Sequence, residues 1–153
     1  MSLPLLDALR QCALHAQRMG SASDRIAFPI AVSQLAAHDE ALITLTDQFV
    51  FRYTKLQDTL GEQVLRQFCT DVLLEPVDDA AFADILALLE RRGYLSEADW
   101  RIQRSMRNAL THEYPEQTAW QAEALNRAHG LAQQLLNWLN RFRSEFENQK
   151  KST

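Results

Sequence analysis

The chain has 153 residues, 46% of them hydrophobic, with four glycines and four prolines lying between long periodic stretches. That suits one domain with its own core and requires no second. A net charge of −4 argues against a protein that coats nucleic acid by counterion release, and no apolar run approaches the roughly 18 residues that span a bilayer.

The opening MSLPLLDALRQC has neither the basic start nor the continuous apolar block of a signal peptide, so a cytoplasmic location and no membrane partner are expected. Its apolar residues Leu5, Leu6, Leu9, Cys12 and Ala13 recur at helical spacing and predict a first helix from about Ser2 to Arg18. The segment GSASDRIAFP reads as a loop. A long second helix follows from about Val32 to Leu73, with Leu35, Leu42, Leu45, Phe49, Tyr53, Leu56, Leu60, Val64 and Phe68 along one face. Asp78 or Asp79 is the expected N-cap of a third, which buries Phe82, Ile85, Leu86 and Leu89 and stops at Gly93.

The fourth helix begins at Ser96, where S-E-A-D approximates a capping box, and runs to about His112. Pro115 ends it, because the residue before a proline is pushed out of the α region. A fifth spans about Glu116 to Glu147, with Trp120, Ala124, Ala128, Leu131, Leu135, Trp138, Phe142 and Phe146 on one stripe. Residues 1–147 therefore read as a single domain and 148–153, NQKKST, as a frayed tail. No stretch alternates like a strand. The expectation is an all-α fold, an up-and-down bundle of four to five helices, since short connections favour antiparallel neighbours. Its long apolar stripes invite self-association, so a homodimer is expected.

Charge is focused on the fourth helix. Arg101, Arg104 and Arg107 face a single acid, Glu113, between residues 101 and 114, whereas Asp71 to Asp84 holds five acids and no base. Arginine outnumbers lysine thirteen to three, and a guanidinium fork suits phosphate better than an ammonium does. At about 100° per residue, Ala98, Ile102, Met106, Ala109 and Leu110 form the expected core sector. Arg101, Arg104, Asn108 and His112 lie opposite, with Arg107 and Thr111 beside them and Tyr114 just beyond. Arg107 and His112 are about 140° apart on an ideal helix, so only the length of the arginine could bring them together.

Such an arc could hold phosphate oxygens and stabilise the charge of a pentacoordinate transition state. A histidine with an ordinary pKa near 6.5 could move a proton at an RNA 2′-hydroxyl or a 5′-leaving oxygen. One chain offers one such histidine, and a dimer would offer two. By spacing alone the same residues are more often a solvated face ending in a histidine that favours the helix dipole. Other chemistries fit less well. The residues three before His15, His38, His112 and His129 are Cys12, Leu35, Ala109 and Asn126, which excludes the Glu-x-x-His of di-iron bundles. HExxH, GxSxG, P-loop and GxGxxG motifs are absent. Cys12 and Cys69 form no CxxC and read as buried free thiols.

Arg107, four residues, His112, one residue, Tyr114 is the pattern R-x4-H-x-Y, with Asn108 directly after the arginine. On a helical chain of this length it resembles the HEPN superfamily, specifically the HepT-like toxins paired with minimal nucleotidyltransferase antitoxins. The stretch FVFRYTKLQDTLG, residues 49–61, resembles the long second helix of such proteins. The resemblance implies a HEPN-like bundle that dimerises so that both motifs line one cleft. It implies an endoribonuclease toxin of a type II or type VII-like toxin–antitoxin system, needing no metal or other cofactor. Arg107 and His112 would be its catalytic pair, with Asn108 supporting them and Arg104 and Arg101 holding RNA phosphate. Tyr114 would be the residue that a nucleotidyltransferase antitoxin modifies with AMP, adding charge and bulk beside the cleft. The alternative within the same resemblance is a non-catalytic accessory or substrate-binding partner of a nucleotidyltransferase.

Overall fold

A computed structural model of the chain describes residues 4–112 and 117–152. Among these residues every regular element is helical. In chain order they are α1 (Leu5–Asp24), α2 (Val32–Ala36), α3 (Glu40–Thr59), a π-helical turn (Leu60–Val64), α4 (Leu65–Asp71), α5 (Phe82–Arg91), α6 (Glu97–Thr111) and α7 (Thr118–Lys151). No helix among the described residues is long and apolar enough to cross a membrane.

Side-chain pairings fix the topology. Gln48 Nε2 donates to the Arg18 carbonyl and Arg52 meets His15, so α1 and α3 run antiparallel. Gly61 lies against Trp100 and Arg104 reaches Gln57, so α6 runs back along α3. Trp100 packs on Trp138 and Gln103 bonds to Leu131 and Gln134, so α7 reverses again. The result is the expected up-and-down arrangement, four long helices with α2 and α5 as short additions.

The core is continuous through the bundle. Phe49, Tyr53, Leu56, Leu60, Val64 and Phe68 are fully buried along the second long segment, as its periodicity predicts, and pack with Ile85, Leu89, Leu135 and Phe142. Phe68, Tyr94 and Phe142 form an edge-and-stack aromatic cluster at one end. Cys12 and Cys69 are buried free thiols, their pKa values pushed up to about 12 and about 11 by burial, which keeps them protonated and unreactive.

Several boundaries differ from the expectation. α1 continues through the supposed loop to Asp24, because Met19 and Ala22 are still core residues. The expected second helix is broken at His38, whose φ of 54° lies in the left-handed region, and restarts where the Asp39 carboxylate accepts from Leu42 N at 2.9 Å. The N-cap of α5 is Ala81, not Asp78 or Asp79, and Phe82 is exposed, touching Trp100 with ring centroids 5.9 Å apart. Gly93, at φ 78°, closes α5 with bonds from Gly93 N to the Glu90 carbonyl and Tyr94 N to the Leu89 carbonyl, the paired bonds of a Schellman ending. α7 continues past residue 147 to Lys151, where fraying is expected, and Gln149 Nε2 donates to the Asp71 and Val72 carbonyls.

Candidate functional site

Ser96 starts α6 as expected, its hydroxyl accepting from Asp99 N at 3.0 Å. The helix then faces the core differently from the expected sector. Trp100, Gln103 and Met106 are its buried residues, while Ala98 and Ile102 are exposed. This turns the buried sector by about 80° relative to the expected one. The reason is Gln103, which a polarity pattern assigns to the surface. Its side chain accepts from the Tyr53 hydroxyl and donates to the Leu131 carbonyl and Gln134, at 2.9 and 3.0 Å. A buried amide satisfied this fully costs little, and the large Trp100 indole supplies the burial that Ile102 does not.

The turn carries Arg107 from the flank of the polar arc to the edge of the core, where its side chain is 24% exposed. There it meets α3. Arg107 Nε and Nη2 donate to Oδ1 and Oδ2 of Asp58 at 2.9 and 2.8 Å, a fork-to-fork pair. The hydrogen-bonded carboxylate raises the guanidinium pKa further, against the opposing effect of burial. Arg104 Nη1 also reaches Asp58 Oδ1 and Gln57 Oε1, each at 3.3 Å. Arg101 stands 74% exposed and pairs with Glu97 one turn back at 2.6 Å. The three arginines are therefore matched by two carboxylates, and the local excess of positive charge is smaller than the 101–114 window suggests. Asn108 is exposed, its carbonyl accepting from the Thr111 hydroxyl at 3.1 Å.

Beyond this pair the bundle opens. A cavity of about 780 Å³ lies between α2, α3, the end of α6 and the start of α7, walled largely by apolar side chains such as Val50, Leu110, Trp120 and Leu125. His112 lines it. It is the C-cap of α6, where the backbone leaves the helix at ψ 132°, and its φ of −76° keeps its Cβ near the helical direction, about 140° from Arg107. Thr54, on the cavity wall, is one turn before Asp58 on α3, and Thr111, also on the wall, is one turn after Arg107 on α6. The Asp58–Arg107 pair thus sits about one turn deeper than the cavity that His112 lines. Arg101, Arg104, Arg107 and Asn108 are not among the lining residues. Tyr114 lies outside the described residues.

Sequence reasoning from residue types missed Asp58. Its signal is weak, one acid in QDTLG on a helix, and only the pairing with α6 gives it a role. Among the described residues no cluster of three or more His, Cys, Asp or Glu could hold a metal ion. No protein-family model, curated protein or solved structure matches the chain.

Proposed function

We propose that this chain is a HEPN-like, HepT-type endoribonuclease toxin that acts without a metal and is silenced by a nucleotidyltransferase antitoxin. The observation that carries the reading is the placement of the R-x4-H pair: Arg107 is oriented by a bidentate carboxylate, and His112 lines an open cavity one turn away. Asp58 engages Nε and Nη2, so Nη1 keeps its donors for a phosphate oxygen, and an arginine fixed in advance costs little reorganisation when charge develops. His112 would move a proton at the 2′-hydroxyl that attacks phosphorus or at the departing 5′-oxygen, and a second copy in a homodimer would provide the complementary acid or base. Arg104 and Arg101 would hold flanking phosphates, with Asn108 supporting the pair. Modification of Tyr114 with AMP would then close access.

A second reading is favoured by the matched arginines and the apolar cavity wall: a non-catalytic partner of a nucleotidyltransferase, with the cavity as part of the docking surface. Purified wild type, Arg107→Ala and His112→Ala, incubated with total RNA and a chelator, separate the two. On the ribonuclease reading wild type cleaves, and each variant loses roughly 100-fold or more in rate, the usual scale for a lost proton-transfer or oxyanion-stabilising group. Cleavage by His112→Ala at the wild-type rate would defeat the assigned role. Intact RNA with all three proteins would favour the partner reading.

A further inference from the structure

Phe51 lies on the face of α3 opposite Phe49 and Tyr53: those two are fully buried, whereas Phe51 is 51% exposed. Two cations attend it: the Arg52 guanidinium carbon is 5.1 Å from the ring centroid and the Lys55 ammonium 5.7 Å. Arg52 is held from behind, its Nη1 lying 3.0 Å from His15 Nδ1. Phe51 also lines the cavity that His112 lines. Phe51 and Asp58 are seven residues apart, two turns along one face of α3, roughly 10 Å. Asp47 is the one acidic residue among the described lining residues, and it lies one turn from Phe51 on the side away from Asp58.

We infer that Phe51 is a stacking platform for one unpaired base of a single-stranded RNA, with Arg52 and Lys55 drawing the backbone beside it and the adjoining phosphate directed toward Arg107. This rests on the ribonuclease reading and narrows its substrate to RNA with an unpaired base at the cleavage point. Stacking on an aromatic ring tolerates any base, since every base has a π-face, and flanking cations track the backbone. A base paired in a duplex keeps both faces covered by its neighbours and cannot use the ring. Charge chooses the occupant: a neutral apolar partner would engage only the ring, whereas a nucleotide engages the ring and its flanking cations together. Asp47 on one side and the arginines on the other give the strand a direction, with phosphate toward Arg107.

The test measures binding of a short single-stranded oligoribonucleotide, and of the same sequence as a duplex, to full-length His112→Ala, in which the RNA survives. Phe51→Ala and Phe51→Trp are added to that background, and cleavage is followed with the Phe51 substitutions in the otherwise wild-type chain. Phe51→Ala is expected to weaken single-strand binding about tenfold or more, to slow cleavage similarly and to leave duplex binding unchanged. Phe51→Trp should restore both. Circular dichroism keeps a folding defect apart, since Phe51 lies off the core. Single-strand affinity within twofold of the parent in Phe51→Ala would overturn the platform even if wild type cleaves RNA. Conversion of a dimer to a monomer by Phe51→Ala in sedimentation would overturn it too, by assigning the ring to a contact between copies. Binding that depends on Phe51 in a wild type that cleaves nothing would uphold the platform and remove the ribonuclease reading.

Discussion

Asp58 and Gln103 divide the work of holding α6. Gln103 pins it to α3 and α7 from inside the core, through Tyr53 and the Leu131 carbonyl, and Asp58 catches Arg107 and Arg104 at the border of that core. The carboxylate is 19% exposed, so its pair with Arg107 is less screened than a surface bridge, although much of its value goes into direction and not into stability. Asp58→Asn keeps the size and removes one acceptor of the fork. It should lower RNA cleavage about tenfold or more while costing roughly 1 kcal/mol or less in unfolding free energy, measured as rate and as urea midpoint on the same samples. A large stability loss with unchanged cleavage would make the pair purely structural. The motif residues Arg107 and His112 were legible because they share one short stretch. Asp58 was not, because its partner is 49 residues away and a lone acid on a helix carries no spacing signal. Gln103 carries no such signal either: an amide points to the surface by polarity, and only the fold supplies the partners that satisfy it in the core.

At the scale of elements, caps were readable and interruptions were not. Ser96 and Gly93 mark boundaries through bonds to residues a few positions away, so the sequence around them contains both partners. The break at His38 and the π-helical turn at Leu60–Val64 interrupt an apolar periodicity that runs through them unchanged. The π turn answers to tertiary packing. Gly61 sits in it against the Trp100 indole, where an added Cβ would lie 2.9 Å from Cζ2. Trp100 is 5% exposed and wedged between this turn and Trp138, so it has little room to retreat. Gly61→Ala should therefore destabilise by about 1–3 kcal/mol, even though alanine is the better helix former, and should shift the tryptophan emission. A gain in melting temperature would mean that the indole moves aside freely. Such turns are frequent beside functional sites, and this one begins two residues after Asp58.

For the whole molecule, the antiparallel bundle follows from four long stripes and short connections, and that much was visible in the pattern of apolar residues. The rotational setting of α6 was not, because it depends on the partners that the buried Gln103 finds. The same point gives the bundle a pH response. Burial lowers the pKa of His15, and the charges of Arg52 and Lys55 lower it further, so the fold prefers the neutral ring that lies against Arg52. The unfolded chain binds the proton more readily, and stability therefore rises with pH through this window. The His15 contribution is present in full above the ordinary histidine pKa of about 6.5 and is lost as pH falls through the lowered folded value. Thermal melts across this range should show wild type losing more on acidification than His15→Gln, which removes the titrating group. Equal slopes would assign the acid sensitivity to other groups.

α7 is tied at two distant points: near its start Asn126 exchanges two hydrogen bonds with the backbone of Ile30, at 2.7 and 3.0 Å, and near its end Gln149 holds the Asp71 and Val72 carbonyls. A rod fastened at both ends cannot fray from either one alone. In hydrogen exchange, the amides between those ties should open together as one cooperative unit and among the last in the protein, whereas an unfastened helix would exchange progressively from its tip.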